Sequence, residues 1–166
     1  AECASVPLPL DYDRPSGQTT DIAVLRLPAR DPAHRIGTLF LNPGGPGGSG
    51  VEFAAFAPQF LSPAVLDRFD IVGFDPRGTN FSEPVRCWRN LGEQFDTLQP
   101  ILSTPFPFER PEVRAYARAA EDFGRACSSR GLPLSGSMST AEVARDMDLL
   151  RRMTGDRRLT YLGFSY

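Results

Sequence analysis

Asn42-Pro43-Gly44-Gly45-Pro46-Gly47-Gly48-Ser49-Gly50 packs five glycines and two prolines into nine residues, and it constrains this chain more than any other segment. Only a loop with glycine-permissive backbone geometry can follow such a path. A short apolar run precedes it, residues 36–41 (Ile-Gly-Thr-Leu-Phe-Leu), and reads as a buried strand. Residues 51–61 follow and are apolar enough for a helix packed on a sheet. Strand, glycine loop and helix in that order belong to layered α/β architecture, in which functional loops sit at strand ends.

Further strands and helices fit the same architecture. Residues 69–74 (Phe-Asp-Ile-Val-Gly-Phe) read as a second buried strand, stopped by Asp75-Pro76-Arg77-Gly78. Residues 19–29 alternate polar and apolar around β-branched positions, which predicts another strand. A first strand near residues 3–8 is confined to a sheet edge by Pro7 and Pro9. Residues 91–110 are the least regular, and Pro100, Pro105, Pro107 and Pro111 argue for a long loop or insertion there. A helix is expected from about Glu112 to Arg130. Ser139-Thr140-Ala141-Glu142 has the form of a capping box, Val143, Met147 and Leu150 follow at helical spacing, and Gly155 is a natural terminator. Residues 159–162 make a last short strand. Buried strands separated by helices predict an α/β fold with a mostly parallel sheet.

Composition bounds the function. The 166 residues suffice for one modest domain, and a charge of 18 − 20 = −2 gives no basic face for nucleic acid or an anionic membrane. No apolar run approaches the roughly 20 residues of a membrane span. The chain opens Ala1-Glu2-Cys3, which suits a mature N-terminus left after signal cleavage. Three cysteines and one histidine, His34, fit no zinc pattern, and no cofactor is expected. One disulfide plus a leftover thiol suits a secreted protein, and the odd count points to a partner cysteine outside the chain; three reduced cysteines are the alternative. Cys87 and Cys127 are the candidate pair, with the pairing of Cys3 also left open.

Gly163-Phe164-Ser165-Tyr166 supplies the first four positions of Gly-x-Ser-x-Gly. In that motif a strand turns sharply into a helix with the serine at the apex, and small residues flank it to avoid a clash. An ordinary strand-end turn could carry the same four residues. Acyl transfer also needs two N–H donors aimed at the tetrahedral oxyanion. One comes from the residue after the nucleophile, here Tyr166, and the other from the loop after an earlier strand. The glycine loop stands at that place, with Gly45 the expected donor and Gly44 the neighbour that shapes the turn.

Together these segments resemble the secreted bacterial tripeptidyl aminopeptidases, relatives of prolyl iminopeptidase with the α/β-hydrolase fold. The likeness runs through Val6-Pro7-Leu8-Pro9-Leu10-Asp11-Tyr12-Asp13, the glycine loop, and Phe69 to Gly78 with Ser82 and Pro84-Val85-Arg86-Cys87. It ends with Ser139 to Asp146 and the Ser165 motif. The resemblance implies the N-terminal half of such an enzyme: part of one catalytic domain over 1–166, ending at the nucleophile elbow. It implies a secreted or envelope peptidase acting on free peptide N-termini through an acyl-enzyme at Ser165. The catalytic acid, the histidine and a cap domain then come from residues outside the chain, and a second polypeptide is expected to carry them. Without a base Ser165 is a weak nucleophile, so the chain alone is expected to be nearly inert.

Other residues take lesser roles. His34 precedes the glycine loop in a polar turn and reads as an exposed loop histidine. Asp75 and Arg77 are expected to tie down the loop beside the oxyanion turn rather than to touch substrate. Trp88, Phe95, Phe106 and Phe108 either line a pocket or, more simply, pack an insertion against the core. Two rivals remain. An esterase or lactonase would use the same serine and oxyanion donors. Gly45-Pro46-Gly47-Gly48-Ser49-Gly50 also satisfies a dinucleotide fingerprint with Asp70 as ribose acid, but Pro46 removes an N–H and Asp70 opens its strand instead of ending it. A phosphate P-loop is excluded because the chain has no lysine.

Overall fold

A computed structural model describes residues 1–165. They divide into two compact units, residues 1–84 with those from 137 on, and Val85–Gly136. The first holds a five-stranded sheet of order β1-β2-β4-β3-β5. Its strands are β1 (Glu2–Pro9), β2 (Thr19–Leu27), β3 (Gly37–Asn42), β4 (Phe69–Phe74) and β5 (Thr160–Gly163), each within two residues of its expected bounds. The sheet is mixed. β3 pairs in parallel with both β4 and β5, whereas β2 runs antiparallel to β1 and β4. β1, with Pro7 and Pro9, lies at an edge, where a missing ladder donor costs least.

β3 and β4 are continuous apolar runs because both faces of the sheet are covered. Leu39, Leu41 and Ile71 face one side, against Ala54, Ala57 and Leu66. Phe40, Val72 and Phe74 face the other, with Leu8, Ile22 and Leu150. The first side carries α1 (Gly50–Ala55) and α2 (Pro63–Arg68), the second α5 (Thr140–Met153). α1 ends six residues short of the expected 61, because Pro58 cannot donate to the previous turn; a 3₁₀ turn, Ala57–Gln59, replaces it. Gly73 lets α1 lie directly on β4: a Cβ there would sit 1.9 Å from the Gly50 carbonyl oxygen. In α5, Ser139 caps the helix by accepting from the Glu142 N–H, and Val143, Met147 and Leu150 form the inward stripe.

The second unit holds the helix expected over about 112–130 and, before it, a helix where a loop was expected. α3 (Leu91–Ser103) is capped by Asn90, whose side chain accepts from Glu93 N–H at 2.9 Å, while the Glu93 carboxylate accepts from Arg89 N–H at 2.8 Å. Pro100 lies in the last turns, where it removes a single hydrogen bond. α4 (Arg110–Arg130) opens with Pro111 in its first turn, where proline favours a helix. A disulfide joins Cys87 to Cys127, and Trp88 stacks on Phe123 with centroids 5.4 Å apart. Phe95, Phe106 and Phe108 are exposed. Cys3 is a free, exposed thiol.

Candidate active site

Ser165 follows directly on β5, and the parallel register aligns Gly163 with Asn42 at the end of β3. Phe164 N–H donates to the Asn42 carbonyl at 3.0 Å, so the ladder continues to the residue before the serine. At Ser165 the backbone turns into the left-handed region, φ 56°, and the side chain is exposed. A serine held there is strained, and a sharp strand-end turn with its hydroxyl at the apex is where such strain is used. A Cβ at Gly163 would meet the Tyr161 ring at 2.6 Å, so a larger residue would displace Tyr161.

The glycine loop begins where β3 ends, beside this turn. Its first two N–H groups differ in their fate. Gly44 N–H donates to the Asn42 Oδ1 at 2.8 Å and is occupied. Gly45 is exposed at φ 129°, and its N–H has no hydrogen-bond partner among the described residues. Glycine is required at this position: a Cβ would stand 2.8 Å from the Gly48 nitrogen. The loop is braced at its middle by Gly48 N–H to the Gly44 carbonyl, 2.9 Å, and by Asn80 Nδ2 donating to the Gly47 carbonyl, 2.8 Å. Tyr166, expected to give the second donor, lies outside the described residues.

Behind the loop are the two residues expected to support it. Asp75 is fully buried and accepts from Ser49 Oγ at 2.8 Å, Val51 N–H at 3.1 Å and Phe81 N–H at 2.9 Å. It thereby joins the end of the glycine loop to the turn after β4. Arg77 is also buried and has every guanidinium N–H bonded. Two go to Asp146, at 2.8 and 2.5 Å, and three to the carbonyls of Pro9, Leu10 and Ser137. Tyr12 completes the cluster by donating its hydroxyl to Asp146 at 2.7 Å. Burial and the bond to that carboxylate raise the Tyr12 phenol well above its ordinary range. Burial alone would lower the Arg77 pKa, but the Asp146 carboxylate outweighs it and raises it.

A parallel β3–β5 pair carries a glycine loop on one strand and a strained serine turn on the other, and comparison with known sequences gives this arrangement a family. The alpha/beta hydrolase fold family matches residues 37–166. The chain belongs to the α/β-hydrolase family. Over 167 residues, all of this hydrolase chain, it is 40% identical to the serine protease Hip1 of Mycobacterium tuberculosis. It is 41% identical over 158 residues, 92% of the chain, to the carboxylesterase B of the same species. To the tripeptidyl aminopeptidase of Streptomyces lividans it is 33% identical over 168 residues, 99% of the chain. These matches span 31%, 29% and 30% of the respective relatives, so the hydrolase chain represents about three-tenths of their length.

Other residues singled out in the sequence lie away from this site. His34 is exposed in a 3₁₀ turn before β3 and bonds Asp31 at 2.7 Å, at the end of the strand opposite the glycine loop. Asp70 pairs with Thr38 near the start of β3, at the end away from the loop, and is held by Arg35, Arg26 and the Ala29 N–H. It is therefore unable to serve as a ribose acid for the glycine fingerprint. Asn42, Asn80 and Asp146 are the supporting residues that sequence reasoning left unassigned. Asn42 could have been suspected from its place at the mouth of the loop. Asp146 lies in a segment that carries the resemblance, but its role gave no signal, because its partners are 69 and 134 residues away in sequence.

Proposed function

We propose that the protein containing this chain is a secreted serine hydrolase, a peptidase that releases short peptides from free N-termini through an acyl-enzyme on Ser165. One observation carries the reading: a strained, exposed serine at the end of β5 lies one strand away from an exposed glycine N–H with no partner among the described residues. Ser165 Oγ attacks the scissile carbonyl carbon, and its proton passes to a base. The carbonyl oxygen becomes an oxyanion accepting from Gly45 N–H and, on the sequence reading, from Tyr166 N–H. The acyl-enzyme forms as the amine leaves, and water then releases the acid. In this fold the acid and histidine follow the nucleophile in chain order, which assigns them to residues beyond 1–166. The peptide substrate rests on the relatives named tripeptidyl aminopeptidase and serine protease. Secretion rests on the Cys87–Cys127 disulfide, which persists in oxidising compartments.

A second reading, an esterase, is favoured by the relative named carboxylesterase B. The full-length protein should form a single fluorophosphonate adduct on Ser165, and Ser165→Ala should lose at least about 10⁴-fold in turnover. Peptide amides with free and blocked N-termini, assayed beside simple esters, separate the readings. Preference for free N-termini supports the aminopeptidase, and turnover of esters alone would establish the esterase in its place.

A further inference from the structure

Three hydrogen bonds of Asn42 reach three different parts of the site. Its Oδ1 accepts from Gly44 N–H at 2.8 Å, inside the glycine loop. Its Nδ2 donates to the Tyr161 hydroxyl at 3.0 Å, on the strand that leads to Ser165. Its carbonyl accepts from Phe164 N–H at 3.0 Å, one residue before the serine. Asn42 is thus bonded at once to the loop that offers the Gly45 N–H and to the strand that presents the nucleophile.

We propose that Asn42 is a positioning residue for the hydrolytic reaction: its side chain fixes which glycine N–H faces the oxyanion and holds that donor in register with Ser165. The proposal rests on the serine hydrolase reading given above. Two adjacent N–H groups on a glycine-rich loop could exchange roles through a peptide rotation of low cost. Capture of Gly44 N–H by the Asn42 carboxamide removes one of them and leaves Gly45 as the open donor. The Nδ2 bond to Tyr161 then couples loop and elbow, so the distance between donor and nucleophile is set by one side chain. Such preorganisation acts on the oxyanion, which exists only along the reaction, and not on the bound substrate.

The test uses the full-length enzyme with Asn42→Ala, Asn42→Asp and Tyr161→Phe. Loss of a whole oxyanion donor costs about 10²–10³ in kcat, so a misaimed one should cost about 10- to 100-fold in Asn42→Ala with KM changed less than about threefold. Affinity for a peptide boronate, which mimics the tetrahedral state, should fall in parallel, while affinity for the product peptide holds. Asn42→Asp keeps an acceptor for Gly44 N–H but loses the Nδ2 donor to Tyr161 and sets a negative charge beside the oxyanion, so it should recover only part of the loss. Tyr161→Phe removes only the bridge and should give an intermediate fall. A wild-type kcat in Asn42→Ala, or equal losses of substrate, product and boronate binding, would overturn the proposal. Thermal unfolding of each variant identifies misfolding; if Asn42→Ala does not fold, the split between kcat and KM in Asn42→Asp and Tyr161→Phe decides, and an unchanged kcat in both overturns the proposal. Wild-type labelling at Ser165 is read separately: labelled wild type with an unaffected Asn42→Ala defeats this proposal alone, whereas unlabelled wild type defeats the hydrolase reading beneath it.

Discussion

All five N–H groups of Arg77 are bonded in a place that water does not reach. Among the described residues Asp146 is the carboxylate bonded to it, so removal of either partner leaves a buried ion without its counter-ion. Arg77→Ala should therefore lower the unfolding free energy of the full-length protein by about 3–5 kcal/mol in urea titrations. Arg77→Lys should recover only part of this, because an ammonium cannot make the paired bond to Asp146 and reach three carbonyls as well. Asp156 sets a pH dependence of its own. Burial tends to raise its pKa, but bonds from Thr38 and Arg35 prevail and lower it below the ordinary 3.8. The folded state thus prefers the carboxylate, and its contribution is full above about pH 3.8 and is lost as the pH falls through the lowered value. Asp156→Asn should flatten the acid limb of a stability–pH curve below about pH 4 and leave its slope near neutrality unchanged.

Among elements, the contact of α1 with β4 positions the glycine loop, since the loop spans the end of β3 and the start of α1. The contact works because two glycine backbones meet, Gly50 against Gly73. A methyl at Gly73 would enter the Gly50 carbonyl and the Ala54 side chain, at 1.9 and 2.6 Å, and backbone cannot move aside as a flexible side chain can. Gly73→Ala should cost about 3 kcal/mol, at the upper end for overpacked cores, and should be seen as a lowered Tm. It should also slow fluorophosphonate labelling of Ser165, because the displaced α1 drags the loop. The same reasoning explains why the β3–loop–α1 segment was readable: glycines that permit close approach leave a visible trace in the sequence.

At the scale of the whole molecule, the Cys87–Cys127 bridge closes a loop across a separation of 40 residues. It confines the helical unit, whose helix α3 buries no residue. Loop-closure arithmetic gives about 4 kcal/mol for a ring of this size. Replacing both cysteines by alanine should speed amide exchange in α3 and α4 while the protection of β3 and β4 is kept, measured by hydrogen exchange with mass spectrometry.

Strands, glycine loop, α5 with its Ser139 cap and the serine turn were all legible, because each is written in neighbouring residues: alternation, apolar runs, glycine clusters, a cap before an apolar stripe. α3 was not, since Pro100 and its prolines nearby masked a helix that Asn90 and Glu93 start. The antiparallel half of the sheet was not either, because strand direction depends on the pairing of distant segments. By itself the sequence determined the elements and the chemistry available at their ends. Tertiary structure decided which glycine N–H stays open and what holds it. Asn42 meets Tyr161 across 119 residues, and Tyr12 meets Asp146 across 134. Such contacts arise only when strands take their places side by side, and no local pattern records them.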